Sequence, residues 1–153
     1  MFYLYHMKQW FLICLFPLLV NSQNASKRIR VLFIGNSYTY VNNLPQLTAQ
    51  VAHAQGDSLF YDSYCPGGYT FNNHFYDVNT KAKISQGNWD YVVLQEQSQI
   101  PTIEYIRDND MYPAMTDLKA LIEQYNPCAK IITYMTWGRR YGGQQCDPSG
   151  TYC

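Results

Sequence analysis

Four runs of apolar and β-branched residues recur along the chain, and each ends in a glycine turn or a polar cluster. The first, Arg30-Val31-Leu32-Phe33-Ile34, runs into Gly35-Asn36-Ser37. The second spans residues 58–65 and stops at Pro66-Gly67-Gly68, an emphatic turn signal. The third, Trp89 to Leu94, empties into Gln95-Glu96-Gln97-Ser98-Gln99, and the fourth spans 129–137, up to Gly138. Continuous apolar runs closed by turn residues are the pattern of strands buried in a parallel sheet. Helical spacing fills the gaps. Residues 44–56 carry Pro45 in the first turn and Gly56 as a stop, and Leu44, Leu47, Val51 and Ala54 form a stripe predicted to face the sheet. A mostly polar helical stretch leads from Tyr69-Thr70-Phe71 to Ile84. A further helix is predicted over 112–125 with Met115, Leu118, Leu121, Ile122 and Tyr125 on its apolar face. The segment 100–111, with Arg107-Asp108-Asn109-Asp110, reads as a loop.

Strand alternating with helix predicts an α/β fold: a three-layer α/β/α sandwich around a parallel sheet, flavodoxin-like, with right-handed crossovers. Ligands of such sheets bind outside the carboxyl ends of the strands. Ser37, Gly68, the cluster 95–99 and Trp137-Gly138 are thereby predicted to share one rim. The residue types suit chemistry there. A serine hydroxyl can act as a nucleophile, a glycine lets its N–H approach a ligand closely, and the cluster offers amides, a carboxylate and a second hydroxyl. His53 lies off the apolar stripe of its helix and reads as solvated.

Composition narrows the setting. Lys8 precedes the apolar run 10–20, followed by Asn21-Ser22-Gln23, which is the layout of a secretory signal peptide over 1–22. The run is shorter than the roughly 20 residues that span a bilayer. Residues 23–29 read as a linker, 30–143 as one domain and 144–153 as an open tail. Export predicts a secreted or lumenal protein with no membrane contact after cleavage. It leaves Cys65, Cys128, Cys146 and Cys153 to form up to two disulfides, in pairings that spacing does not separate. Asn24-Ala25-Ser26 is a glycosylation sequon. With 11 basic and 11 acidic residues the charge is balanced, which argues against nucleic acid as partner. The 15 tyrosines suit a polar groove as well as a core.

Gly35-Asn36-Ser37-Tyr38-Thr39 after the first strand resembles the first block of the SGNH/GDSL-type hydrolases, in a variant with Asn in place of Asp. Pro66-Gly67-Gly68 stands where that family keeps an oxyanion-hole glycine. Val93-Leu94-Gln95-Glu96-Gln97-Ser98 stands at its third block and resembles a bacterial-type subgroup with Gln-Glu-Gln-Ser, as does Trp137-Gly138-Arg139-Arg140. The resemblance covers 30–143. It implies a serine ester hydrolase with Ser37 as nucleophile, and with the backbone N–H groups of Ser37 and Gly68 as oxyanion donors. A glutamine replaces the family's asparagine donor: Gln97, or else Gln95 or Gln99. Asn36, Tyr38, Tyr69, Glu96 and Trp137 are the implied substrate-binding residues. The substrate would be a small ester or an acylated carbohydrate, acetyl first among the acyl groups, with no cofactor or metal.

The chain departs from the family in one respect. The family's base lies in an Asp-x-x-His block, whereas His6, His53 and His74 have no Asp three residues before them. A serine without a base is a poor nucleophile near neutral pH. Two expectations follow: a chain truncated after its fourth strand, whose full-length form is the enzyme, or an inactive carbohydrate-binding remnant. His74 could serve as a substitute base only within hydrogen-bond reach of Ser37.

Overall fold

The computed structural model describes residues 28–137. The expected signal peptide over 1–22, the Asn24 sequon, Gly138-Arg139-Arg140, Cys146, Cys153 and the expected tail 144–153 lie outside the described residues. In chain order the elements are β1 Arg28–Ile34, α1 Ser37–Tyr40, α2 Leu44–Ala54, β2 Ser58–Tyr64, α3 Phe71–Tyr76, α4 Val78–Ser85, β3 Tyr91–Leu94, α5 Glu104–Ile106, α6 Tyr112–Tyr125 and β4 Lys130–Thr133. The four strands form one parallel sheet in the order β2-β1-β3-β4. The expected α/β fold, consistent with three layers, is the one found. After β2 the chain crosses over β1 to β3, so its winding reverses between β1 and β3. That reversal is the switch point at which open α/β sheets bind ligands.

The continuous apolar runs become central strands. Leu32, Ile34, Val92 and Leu94 point to one face and pack with Phe71 of α3, Ile84 of α4, Trp89, and Ala114, Leu118 and Ile122 of α6. On the other face Val31, Phe33 and Val93 are buried among the half-buried Leu59, Tyr61, Cys65, Tyr91 and Tyr134. Right-handed crossover puts α2 on this second face, and it packs against β2.

Several boundaries and one orientation differ from expectation. β1 begins inside the expected linker, because Arg28 and Ile29 pair with Ser58 and Leu59. The expected stripe of α2 does not face the sheet: Leu47 is 51% and Val51 58% exposed. Its buried and half-buried residues are Leu44, Pro45, Thr48, Ala49 and Ala52; beyond the first turn these are small side chains that let the helix sit close to the edge strand. The stretch 69–84 breaks at Asp77, whose backbone is extended (φ −76°, ψ 129°) and whose Oδ1 caps α4 by accepting from the Asn79 and Thr80 N–H groups at 2.8 Å. The expected loop 100–111 is helical: a 3₁₀ turn, Ile100–Thr102, then α5, then a π turn, Arg107–Met111, that runs into α6. Cys65 and Cys128 are not joined to each other. Burial pushes the Cys65 thiol up to about 11, which makes it a poor nucleophile.

Candidate active site at the carboxyl ends of the strands

The turn that leaves β1 tolerates no side chain at Gly35. A Cβ there would lie 2.5 Å from Thr39 Oγ1 and 2.7 Å from Gln95 Oε1. The second atom belongs to the residue that holds the turn. Gln95 prolongs β3 by donating its N–H to the Ile34 carbonyl at 2.9 Å. Its buried Oε1 accepts the Asn36 N–H and the Thr39 hydroxyl, both at 2.9 Å, while its Nε2 donates to the Glu96 carbonyl. Asn36 is also buried. Its Oδ1 accepts the Tyr38 N–H at 3.2 Å, capping α1, and its Nδ2 donates to the Tyr69 carbonyl at 2.8 Å. That bond ties the serine turn to the glycine turn.

A third brace comes from α3. His74 is fully buried, with Nε2 2.9 Å from the Gly35 carbonyl and Nδ1 2.9 Å from Thr80 Oγ1. A carbonyl only accepts, so Nε2 carries the proton and Nδ1 accepts from the Thr80 hydroxyl. Burial holds the imidazole below its ordinary pKa, against the Gly35 carbonyl and Asp77, which favour the cation. His74 is therefore neutral, with both nitrogens engaged, which removes it as a substitute base. His53 is exposed on α2.

These braces leave Ser37 half-buried and facing a cleft of about 470 Å³. Val41, Leu44, Leu47, Tyr134 and Trp137 line it, with Tyr38 beside the serine. The Tyr38 and Trp137 rings meet at 4.7 Å between centroids. Ser37 Oγ has no hydrogen-bond partner among the described residues. Gly68 (φ +75°) occupies the third position of a turn closed by the Tyr69 N–H on the Pro66 carbonyl at 3.3 Å. A positive φ at that position is the type II requirement for glycine.

The polar cluster after β3 divides by burial. Glu96 is buried; both its carboxylate oxygens lie 3.1 Å from the Phe71 N, and the Gln97 N–H donates to it at 2.6 Å. Burial pushes its carboxyl up to about 7, overcoming the opposing pull of the two amides. It looks onto a second cavity of about 600 Å³, walled by Phe71, Leu94, Met111 and Met115, which shares Tyr134 and Trp137 with the first. Gln97 is half-buried. Its Oε1 accepts the Gln99 and Ile100 N–H groups at 2.6 and 3.3 Å, and its Nε2 donates to Gln99 Oε1 at 3.3 Å. Gln97 lines neither cavity.

The structure thus brings Ser37, Tyr38 and Trp137 to one cleft and places Glu96 on its neighbour. Asn36 and Gln95 lie beneath the serine as braces. Tyr69 joins the site through its backbone alone; its hydroxyl lies 3.4 Å from Asp77 Oδ2 and its ring 5.1 Å from the His74 ring. Sequence reasoning missed His74 and Thr80 as supports of the turn, since a lone histidine in a polar helix carries no signal of what it holds. It also missed Val41, Leu44 and Leu47 as cleft walls.

No family model matches the sequence, and no curated protein matches it. Among solved structures it is similar to a DUF4886 family protein from Bacteroides uniformis ATCC 8492, with a TM-score of 0.60 and 17% identity. The match covers 73% of this chain and 51% of that one, so the chain spans about half the length of its neighbour. At this identity the likeness shows the fold, a parallel-sheet α/β architecture.

Proposed function

We propose that the chain carries the nucleophile and oxyanion elements of a secreted serine ester hydrolase of the SGNH/GDSL type, acting on a small ester or an acylated carbohydrate. The observation that supports this reading is the placement of Ser37: a half-buried serine at the β1/β3 switch point, lining a cleft, on a turn braced from β3, α3 and the glycine turn. In this reading Ser37 Oγ attacks the ester carbonyl and gives its proton to a base. The alcohol then leaves, and water releases the acid from the acyl-enzyme. The N–H groups of Ser37 and Gly68 donate to the oxyanion, and each such donor is worth about 10²–10³ in rate. Gln97 or Gln99 is the third donor, because the Gln95 amide is committed to the turn. The base comes from outside the described residues, since His74 is engaged and His53 is exposed.

Turnover of acetyl and aryl esters by the full-length protein and its Ser37→Ala variant tests this. A fall of at least about 10³-fold is expected, together with a fluorophosphonate adduct on Ser37 detected by mass spectrometry. Equal turnover by both proteins would sink the reading. A second reading, a carbohydrate-binding remnant without catalysis, draws on the Tyr38–Trp137 aromatic pair beside the cleft. It predicts glycan binding that Trp137→Ala weakens, with no turnover by either protein.

A further inference from the structure

The cleft beside Ser37 is apolar along most of its wall, and the backbone that builds it is distinctive. Between α1 and α2, Asn42 (φ 59°) and Asn43 (φ 52°) are both left-handed, a conformation that is uncommon outside glycine but that asparagine tolerates better than most. This double kink brings Val41, Leu44 and Leu47 to the same cleft. Leu47 is there because α2 turns its small residues to the sheet. Val41 and Leu47 are each 51% exposed and Trp137 is 64% exposed. Contiguous apolar surface of this kind marks a place where something apolar is held. Ser37 lines the same cleft, so whatever fills it lies next to that residue.

We infer that the groove formed by Val41, Leu44, Leu47 and Trp137 is an acyl-chain subsite, so that the ester bound at Ser37 carries an extended aliphatic acyl group rather than acetyl. The inference rests on the esterase reading and adds no chemical step to it; it names the part of the substrate that the groove selects. An acetyl group at Ser37 leaves these side chains in water. Each further methylene covers them, and burying one is worth about a fourfold gain in transition-state binding.

The test uses para-nitrophenyl esters from acetyl to decanoyl with the full-length protein, Leu47→Asp and a control, Val51→Asp. Val51 lies on the same helix outside the groove and is 58% exposed. The expected result is a kcat/KM that climbs about fourfold per methylene until the groove is full. Leu47→Asp flattens the climb and Val51→Asp preserves it. Turnover that depends on Ser37 but is flat or highest for acetyl overturns the subsite and leaves the esterase reading standing. If no turnover depends on Ser37, the esterase reading fails, and tryptophan fluorescence titration with sodium octanoate and sodium acetate reads the groove directly. Octanoate binding that is lost in Leu47→Asp supports the subsite; failure to bind octanoate overturns it.

Discussion

The two faces of the sheet are built differently, and the candidate site lies where they meet. On one face α3, α4 and α6 cover Leu32, Ile34, Val92 and Leu94, and the contact is made by large side chains such as Phe71, Ile84, Leu118 and Ile122. On the other, Val31, Phe33 and Val93 are surrounded by half-buried strand residues, and past its first turn α2 covers only the small side chains Thr48, Ala49 and Ala52. The first face supplies rigidity: from its side His74 pins the Gly35 carbonyl and Phe71 anchors Glu96. The second supplies exposed apolar side chains beside Ser37. The serine turn is thus fixed from below and left open at its side, the combination that a preorganised nucleophile with a substrate groove requires.

The largest test of this contrast is a cavity in the covered face. Leu118 is fully buried at the centre of α6, so Leu118→Ala is expected to cost about 2–5 kcal/mol in urea denaturation. A cost below about 1 kcal/mol would mean that α6 relaxes onto the sheet, and the claim of a rigid floor would fail.

A smaller test titrates the upper edge of the same face. Glu96 is the one buried carboxylate among the described residues. Burial raises its pKa from 4.5 to about 7, against the Gln97 and Phe71 amides, with a smaller upward push from Asp110. Between those values the folded chain holds a proton that the unfolded chain has released, so this group's contribution falls as pH rises from about 4.5 to about 7. His74 acts in the opposite sense. Its lowered pKa costs stability as pH falls through 6.5. It is common to wild type and Glu96→Gln, so their difference isolates the carboxylate. From about pH 5 to about pH 8 the variant is expected to gain about 2 kcal/mol relative to wild type, after discounting for solvent at the rim. A gap that stays constant would show an ionised, hydrated Glu96 and an unsealed edge.

Much of the architecture was legible because buried parallel strands need no alternation. Val31 to Ile34 and Val92 to Leu94 are apolar without a break, and their order with the intervening helices places the polar ends on one rim. Side-chain direction at those ends was not legible. An amide after a strand can point inward or outward, and Asn36 and Gln95, expected to meet the substrate or the oxyanion, turn beneath the serine instead. Asp77 was hidden for a similar reason: in a polar stretch a capping aspartate looks like any solvated residue. The stripe on α2 misled because size was taken as the sign of contact. Against an edge strand a close approach by alanine and threonine won over a distant one by leucine and valine. Cys146, Cys153 and the expected signal peptide lie outside the described residues.

The smallest expected effect is the most informative about the open face. Val51 sits on α2 with 58% of its surface exposed, and Val51→Ser is expected to change stability by no more than about 0.5 kcal/mol, as surface substitutions do. Part of even that change is a slightly altered helix propensity. A cost above about 1.5 kcal/mol would be the signature of a buried valine losing its packing. Val51 would then be covered in solution, and the stripe of Leu44, Leu47 and Val51 would be a packing surface after all. Such a cover would also compete for Leu47 with any acyl chain beside Ser37. A near-zero result at Val51, set against a large one at Leu118, keeps the two faces distinct and leaves the groove free for substrate.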